Sequence, residues 1–507
     1  MPKKVIIIGA GIAGLTAGIH LQRNGYDTEI YELHSLPGGL CTAWERKGYT
    51  IDGCLHWLVG SGPGDEFYHL WDELIDMKNL KCHEYDTYMT VEDGAGKSIT
   101  VYTDIDTLER EFLEKAPEDR KIILEFTGAA RKLSEFRMPN DASPETMGLM
   151  EGLKMFRQML PYIPTALKYV RVTTKDFAAR CANPLMKKTF EAMFVPEMSV
   201  IFIIFTLIWF HRKSAGYPIG GSLKFAQLFE KKYRELGGKI HYRSRVTKIL
   251  TKGAFPKSSA TGIALSTGAT YNADMVISAA DGHCTLFEML EGRFLDKKFR
   301  KYYDEYHPFP SFLQVSLGVK REFSNDPHTV VLPLERPLAV DPETSTDSLG
   351  VRIFNFDPTL APKGRTVITV LFVTYNDRYW SALRKEKPAK YRDEKKRIAD
   401  EVIDALEKRF DNVKKNIEMT DVSTPATVIR YTNNWKGSLE GWLLDPKVGF
   451  SQMKKELKGL ANFYMAGQWV QPGGGVPGAL VSGRQLAQLI CHRDGKEFVP
   501  RLRSAGK

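Results

Sequence analysis

A glycine-rich run and one acid near the start of the chain are the first residues whose types and spacing could do chemistry. Lys4–Ile8 is a short β-branched run of the kind found in buried strands, and the sequence GAGIAG follows at residues 9–14. A helical pattern then runs to Gly25, and a second β-branched run, residues 28–31, ends in Glu32. Strand, G-x-G-x-x-G, helix, strand and acid in this order are typical of a dinucleotide site.

Each of these residues has a physical task at such a site. Gly9 permits the tight turn, Gly11 lets a pyrophosphate approach the backbone, and Gly14 lets the helix pack closely on the strand. The helix N-terminus then faces the phosphates. Glu32 would accept hydrogen bonds from ribose hydroxyls and would repel a 2′-phosphate. The residues predicted to form this part of the site are Gly9, Ala10, Gly11, Ala13, Gly14 and Glu32.

A second bare stretch of backbone lies near the C-terminus, where residues 472–479 read PGGGVPGA. One glycine would be enough for a turn, so three in a row predict that something lies against the main chain. An apolar, helix-like run follows. Pro477 suits the first turn of that helix, because its missing N–H would be unpaired there anyway.

Other patterns of chemical interest are weaker. The histidines form no H-x-x-x-H or H-E-x-x-H pair and the six cysteines form no C-x-x-C pair, so no metal is expected and the thiols should be reduced. Residues 96–98 (GKS) resemble the end of a P-loop, but Val91 stands where its first glycine should be. An Asp-Gly turn between two alternating runs predicts a hairpin there instead.

Composition and charge narrow the class of protein. Hydrophobic residues make up 43% of the chain and charged residues 26%, as in folded proteins, and 507 residues suggest about three units. The net charge of +10 is uneven, since residues 131–190 hold 11 Lys/Arg and 5 Asp/Glu. No nucleic-acid-binding motif accompanies this charge, so we expect no nucleic acid and favour an anionic membrane surface. The apolar N-terminus resembles a secretory signal, but its glycine spacing favours a strand and a cytoplasmic protein.

Two apolar segments are consistent with a lipophilic partner. Residues 200–210 (VIFIIFTLIWF) are too few to span a bilayer, which needs about 20. They form either a buried core element or the wall of a hydrophobic substrate cavity. Residues 147–172 mix apolar and aromatic side chains with basic ones. This stretch is either an amphipathic helix in an anionic headgroup region or a solvated helix with a charged back.

Further motifs carry a resemblance to a known family. They span the chain in order and comprise residues 37–40 (PGGL), 217–221 (YPIGG), 272–281 (NADMVISAAD), 361–364 (APKG) and the C-terminal glycines. The chain resembles the FAD-dependent phytoene desaturases and retinol saturases, within the amine oxidase-like flavoproteins.

The resemblance implies an α/β fold with a Rossmann-like FAD-binding domain, discontinuous in sequence, and a mixed β-sheet and helical substrate domain. The FAD-binding domain would comprise residues 1–85, 217–289 and 459–507. A substrate- or membrane-facing helical region would occupy residues 86–216, and the substrate domain residues 290–458. Within these parts we predict strands at 239–246, 312–319, 351–356 and 365–374, and a helix at 397–410.

Further FAD contacts follow from the same resemblance, with Leu40 standing where many members have an arginine. The N-terminal dipole of the helix that follows Gly475 would favour reduced flavin at the ring's pyrimidine edge. The additional contacts are Gly38, Gly39, Leu40, Val246, at the adenine, and Gly467, Gly475 and Val476.

The resemblance points in two directions on catalysis. Residues 51–57 (IDGCLHW) are similar to retinol saturases, so His56 would donate or relay a proton, with a hydrogen-bonded structural histidine as the alternative. Trp57 would be a stacking wall or a core residue. Residues 472–479 are closer to phytoene desaturases and carotenoid isomerases. Desaturation, saturation and cis–trans isomerisation of a lipophilic polyene therefore all stay open.

Two rival classes share this scaffold. A flavin amine oxidase would need an aromatic pair beside the flavin, of which Trp469 supplies half. A protein like the Rab GDP-dissociation inhibitors would bind prenyl lipids without flavin, but the complete glycine set argues against loss of FAD. The expected partners are FAD, a polyene or other isoprenoid, the inner face of a membrane, and an external electron donor or acceptor, because no second nucleotide motif is evident.

Overall fold

The computed structural model describes residues 1–501, which form 21 strands and 15 α-helices. The strands are β1 (Lys4–Ile8), β2 (Asp27–Tyr31), β3 (Ala43–Arg46), β4 (Tyr49–Asp52), β5 (Leu58–Val59), β6 (Cys82–His83), β7 (Thr87–Glu92), β8 (Ser98–Tyr102), β9 (Ala215–Pro218), β10 (Lys239–His241), β11 (Val246–Lys252), β12 (Ser258–Leu265), β13 (Thr270–Asn272), β14 (Met275–Ser278), β15 (Ser311–Val319), β16 (Thr329–Asp341), β17 (Thr344–Ile353), β18 (Thr366–Thr374), β19 (Ile417–Ser423), β20 (Leu460–Ala461) and β21 (Phe463–Met465). The helices are α1 (Ile12–Arg23), α2 (Tyr68–Asp72), α3 (Ile105–Lys115), α4 (Arg120–Leu133), α5 (Leu149–Met159), α6 (Ile163–Val170), α7 (Thr174–Ala178), α8 (Pro184–Met193), α9 (Val200–His211), α10 (Gly221–Glu235), α11 (Lys297–Glu305), α12 (Asp377–Glu386), α13 (Pro388–Arg409), α14 (Pro425–Thr432) and α15 (Gly475–Arg493).

The glycine-rich loop joins β1 to α1 at the centre of a five-stranded parallel sheet of order β10-β2-β1-β14-β21. Strand β1 is buried on both faces, as expected for a parallel sheet covered by helices, and α1 packs against α10 and α15. The sheet draws its strands from the beginning, middle and end of the chain. This confirms the predicted discontinuous Rossmann-like fold, while the domain boundaries at residues 85, 216, 289 and 458 stay predictions.

One predicted strand of this domain was wrong. Residues 239–246 do not form a single strand, since β10 ends at His241 and pairs with β2, whereas β11 begins at Val246 and pairs with β12 in a different sheet. Arg243 has a φ of +55° between them. The chain therefore turns between two sheets at a point where the β-branched pattern looked continuous.

The second large sheet is a seven-stranded mixed sheet of order β19-β15-β18-β17-β16-β7-β8. Strand β15 is buried along its whole length, and helix α13 packs on this sheet. The predicted strands at 312–319 and 365–374 and the helix at 397–410 are confirmed as β15, β18 and the second half of α13. The predicted strand at 351–356 overlaps only the end of β17, because a turn begins after Ile353.

The predicted hairpin is confirmed, because β7 and β8 pair antiparallel across the turn at residues 93–97. Asp93 Oδ1 accepts hydrogen bonds from the N–H groups of Ala95 and Lys97, at 2.7 and 2.9 Å. Of the residues that resembled a P-loop, Gly96 and Lys97 therefore lie in the hairpin loop and Ser98 begins β8.

The two apolar segments, residues 200–210 and residues 147–172, differ in their burial. Helix α9, which holds residues 200–210, lies in a helical core with α3, α4 and α8 and contributes no side chain to the cavity described below, so the interpretation as a cavity wall was wrong. Helix α5 is the opposite case. None of its residues is buried, and Leu149, Met150, Leu153 and Phe156 are 90%, 76%, 52% and 52% exposed. No helix among residues 1–501 is both long and apolar enough to cross a bilayer.

Candidate functional site

A cavity of about 980 Å³ lies between the parallel sheet and the seven-stranded sheet. Its lining brings together nearly all the residues that the sequence singled out. Ala10 and Gly14 lie behind the surface instead of on it. The predicted site residues in the lining are Gly9, Gly11, Ala13, Glu32, Gly38, Gly39, Leu40, His56, Val246, Gly467, Gly475 and Val476.

The first glycine loop is closed tightly by the protein's own backbone. A Cβ on Gly14 would lie 2.1 Å from the carbonyl oxygen of Gly9, which no side chain could tolerate. Gly9 itself has a φ of +99°. Gly14 thus acts on helix packing, as its position in the motif predicts, and keeps the start of α1 next to the cavity.

Glu32 closes one end of the cavity, at the end of β2. Its carboxylate accepts hydrogen bonds from the N–H groups of Ala10, at 2.6 Å, and His34, at 2.7 Å. Burial raises the pKa of Glu32 above its ordinary value. The N–H of Ser244 donates to the Glu32 carbonyl at 2.8 Å, which brings Val246 to the same end of the cavity.

Arg245 is a functional candidate that the motifs did not indicate. Among the described residues that line the cavity it is the single arginine or lysine. Its Nη2 donates to the Asn433 side chain at 3.1 Å. Since Leu40 occupies the place of the family's usual arginine, Arg245 is the positive side chain available to an anionic ligand here. Its position beside Val246 was the one signal in the sequence.

The second glycine loop, residues 473–475, has empty space beside Gly473, whereas in the first loop the backbone of Gly9 fills the space beside Gly14. Gly473, Gly474 and Gly475 have φ values of +118°, +53° and +64°, which side chains rarely adopt. A Cβ on Gly473 would meet no atom within 4 Å, and one on Gly475 would meet its nearest neighbour at 3.6 Å. Helix α15 begins at Gly475 with Pro477 in its first turn, and the N–H of Gly467 donates to Ser482 Oγ at 2.8 Å. The backbone at this loop is bare and has free space beside it.

Asp52 fixes the segment that carries His56. Its carboxylate accepts hydrogen bonds from Tyr217 OH at 2.7 Å and from the N–H groups of Ser222 and Cys54, each at 3.0 Å. A Cβ on Gly221 would lie 2.5 Å from Asp52 Oδ2. The motif at residues 217–221 therefore joins the end of β4 to the start of α10 through one buried carboxylate.

His56 reaches the cavity, but its ionisation differs from the expected one. Burial, together with the positive charge of Arg352, lowers the pKa of His56 to about 3, so the imidazole is neutral at pH 7. Arg352 Nη2 donates to the His56 carbonyl at 2.7 Å. Any proton transfer by His56 would have to start from the neutral ring. Its neighbour Trp57 lines the cavity and packs against Phe194 and Phe210.

Two carboxyl groups on the cavity wall were not found by sequence reasoning. Burial raises the pKa of Glu440 to about 7 and that of Asp281 also to about 7. Asp281 accepts hydrogen bonds from the N–H groups of Cys284, at 2.7 Å, and Trp435, at 2.8 Å. Glu440 lies in a turn outside any recognisable motif, so no sequence signal marked it.

The arrangement fits a flavin dinucleotide. Glu32 and Val246, the first glycine loop with Gly38 bridged to Gly11, and the second glycine loop with the N-terminus of α15 all line this one cavity. The bare backbone at Gly473 and Gly475 leaves room that the protein's own atoms do not fill. A helix N-terminus at this position also favours an electron-rich group.

Comparison with known proteins places this fold and site in a class. The chain belongs to the family of flavin-containing amine oxidoreductases, whose model matches residues 12–491. It is therefore a flavin-containing oxidoreductase with FAD as its cofactor, as the sequence predicted.

Individual relatives and solved structures show which members of this class the chain resembles. The chain is 26% identical to a prolycopene isomerase of Arabidopsis thaliana, over 99% of this chain and 84% of that protein. It is also 26% identical to the 4,4'-diaponeurosporene oxygenase of Staphylococcus aureus, over 98% of this chain and 99% of that protein. Similar solved structures include an oxidoreductase from Methanosarcina mazei (TM-score 0.58, 18% identity, 96% and 100% coverage) and putrescine oxidase bound to putrescine (TM-score 0.60, 13% identity, 97% and 100% coverage). At these identities the solved structures support the fold alone.

Proposed function

We propose that this chain is an FAD-dependent enzyme that acts on the conjugated carbon–carbon bonds of a lipophilic polyene. The observation that carries the proposal is the continuity of the cavity. Beyond the glycine loops it extends over the seven-stranded sheet, where Phe312, Val331 and Phe372 line it, and along the segment that holds Phe194 and Val195. The sequence relatives, a prolycopene isomerase and a diaponeurosporene oxygenase, act on molecules of this kind.

Each part of the chain has a defined task in such a reaction. FAD, when bound, supplies the redox chemistry. The glycine loops and Glu32 hold the dinucleotide, and the apolar lining excludes water from the reacting carbons. Neutral His56 borders the reacting region without bringing a charge to it. Isomerisation, desaturation and saturation differ only in the net transfer of hydrogen, and the isomerase relative favours testing isomerisation first.

The test is anaerobic incubation of the FAD-loaded protein with lycopene isomers, phytoene and retinol, in one set with oxidised flavin and in another with reduced flavin. Chromatography and mass analysis separate the outcomes. An unchanged mass with a new retention time indicates isomerisation, and loss or gain of two hydrogens indicates desaturation or saturation. The proposal fails if no polyene is converted in either set. Flavin reduction by simple amines alone would then favour an amine oxidase.

We also propose that the protein collects its substrate from an anionic membrane surface, at the periphery of the inner face. The exposed apolar residues of α5 lie beside the exposed basic side chains of Lys154 and Arg157, a combination suited to an anionic headgroup region. Helix α7, which follows α6 after a short connection, is hydrogen-bonded to the cavity-lining segment, since the N–H of Lys175 donates to the Pro196 carbonyl at 3.0 Å. The amphipathic helices are thus linked to the cavity wall through α7.

Vesicle sedimentation tests this attachment. The protein should sediment with vesicles that contain phosphatidylglycerol, and less with pure phosphatidylcholine. The double variant L153E/F156E should lose at least ten-fold in vesicle affinity without a change in unfolding midpoint, because both side chains are exposed. Phe255→Glu is a matched control, since Phe255 is 62% exposed but far from α5 in sequence. Equal binding of all three proteins would contradict the proposal.

A further inference from the structure

Glu440 lies where the second glycine loop meets the cavity. A Cβ on Gly474 would lie 2.6 Å from both the Cβ and Oε2 of Glu440, and one on Gly475 would lie 3.9 Å from Oε1. The carboxyl group is therefore beside the N-terminus of α15, on the cavity wall. Gly474 thus leaves the space that this side chain needs.

The backbone around Glu440 is held firmly. The N–H of Phe309 donates to the Gly441 carbonyl at 2.7 Å, and Ser438 Oγ donates to the same oxygen at 2.9 Å. Gly441 has a φ of +72°, and a Cβ there would lie 2.7 Å from the Gln468 carbonyl oxygen. The turn can therefore aim the Glu440 side chain at the cavity without movement of the main chain.

The surroundings keep the carboxyl group ready to exchange a proton. Burial is the one cause of its raised pKa of about 7, and no hydrogen bond from the described residues contributes. No other titratable group that lines the cavity contributes to the shift, including Asp52, His56, Arg245 and Asp281 on other elements. A carboxyl group that has this pKa and no hydrogen-bond partner among the described residues exists in both protonation states near neutral pH.

The other groups are poorly suited to the same task. His56 is neutral at pH 7 and would need to form an imidazolium beside Arg352. Asp281 accepts two backbone N–H groups, and Asp52 is bound by Tyr217 and two further backbone N–H groups. Both carboxylates are committed to holding the fold.

We infer that Glu440 is the catalytic acid–base group of the proposed polyene reaction, on which this inference rests. In isomerisation the carboxyl O–H bond breaks and a C–H bond forms at one carbon of the double bond, which leaves a positive charge delocalised over the polyene and a negative charge on Glu440. The former double bond then rotates. The carboxylate takes a proton back from the same carbon, the double bond re-forms, and no electrons are gained or lost overall.

The experiment compares the FAD-loaded wild type with Glu440→Gln and with Glu386→Gln. Glu386, the last residue of α12, is exposed and does not line the cavity, so its amide variant controls for the loss of a carboxylate. Glu440→Gln should keep the FAD-to-protein ratio and the binding of the polyene, and should lower the conversion rate at least 100-fold. Glu386→Gln should convert the polyene at the wild-type rate. In D₂O the wild type should place deuterium in the polyene during turnover.

A second readout does not need turnover. Infrared difference spectra of the FAD-loaded protein should show protonated carboxyl absorption that disappears as the pH is raised through about 7, because burial gives both Glu440 and Asp281 a pKa of about 7. The Glu440 component of this absorption should be missing in Glu440→Gln, and the Asp281 component should remain. Full activity of Glu440→Gln, or an unchanged band in that variant, would overturn the assignment. Failure of the wild type on every polyene would overturn the proposed function, and the infrared band would still decide whether Glu440 holds the proton.

Discussion

The two glycine loops that border the cavity use the same residue for different reasons. In the first loop, Gly14 is required by contact, since its missing side chain makes room for the carbonyl of Gly9 at 2.1 Å. In the second loop, Gly473 and Gly475 are required by conformation, because their φ values are ones that side chains avoid, whereas a Cβ on Gly473 would meet no atom within 4 Å and one on Gly475 none closer than 3.6 Å.

This difference distinguishes glycines that the folded state requires from glycines that ligand binding requires. A glycine that the protein's own backbone demands contributes to the folded state with or without a ligand. A glycine beside free space contributes chiefly when the ligand fills that space. Substitutions in the two loops should therefore affect different quantities, and the following four experiments test how far the separation holds.

Gly14→Val should have the largest effect. Its side chain would overlap the main chain of Gly9, so we expect a loss of about 3 kcal/mol in the free energy of unfolding, or no recoverable folded protein. Urea unfolding measures the loss. Gly128→Ala is the control, because Gly128 is an exposed glycine within α4 whose Cβ would meet no atom within 4 Å. This control should be stabilised by ~0.5–1 kcal/mol. Equal stability of the two variants would contradict the claim that contact with the Gly9 backbone requires a glycine at position 14.

Gly475→Val should act on FAD more than on folding. The valine would be forced into a positive φ at a cost of about 1–2 kcal/mol, and its side chain would project into the space left for the ligand. We expect FAD to bind at least ten-fold more weakly, by absorbance titration of the FAD-free protein. Urea unfolding of that FAD-free protein should show only the smaller conformational cost. Unchanged FAD occupancy would contradict the placement of the flavin beside this loop.

Glu32→Gln tests the electrostatics of the dinucleotide end. Because burial raises the pKa of Glu32, the folded state holds the proton more tightly than the unfolded state, whose pKa is about 4.5. The contribution of this group to stability is complete below that value and is lost as the pH rises through the folded-state pKa. The unfolding free energy of the FAD-free variant should therefore fall less steeply with rising pH than that of the wild type. If the unfolding free energies of the variant and the wild type changed in parallel with pH, this expectation would be contradicted.

His56→Gln should have the smallest effect on pH dependence. With a folded-state pKa of about 3, His56 does not change its charge between pH 5 and 8. The pH profile of polyene conversion should keep its shape in the variant, whatever the change in its height. The disappearance of a limb near pH 6–7 in the variant would show that His56 titrates during catalysis, against this expectation.

Local patterns predicted the first glycine loop and much of the fold well. The strand, loop, helix and acid from Lys4 to Glu32 lie within one continuous segment, so propensity and spacing were enough. The hairpin at β7 and β8 was equally local. Strand β10 was harder, because the change of sheet between His241 and Val246 depends on tertiary packing that the β-branched pattern does not record.

The chemistry of the cavity was less accessible from the sequence. The charge state of His56 depends on its burial and on Arg352, almost 300 residues away in the chain. Glu440 gains its position from contacts with Gly474 and Gly475, and the apolar run of α9 packs in a helical core that its composition could not distinguish from a cavity wall. Distances in space decide such features, whereas the sequence shows only spacing along the chain.

The central parallel sheet also has a consequence for how the protein is made. Strand β1 needs β14 on one side, and β14 in turn needs β21, whose last residue is Met465. At ribosomal rates of about 5–20 residues per second, some 20–90 s separate the synthesis of these partners. During that time the first glycine loop leaves the ribosome without its completed sheet. Cofactor uptake must therefore wait until nearly the whole chain has been translated, and a nascent chain stalled before β21 should carry no flavin.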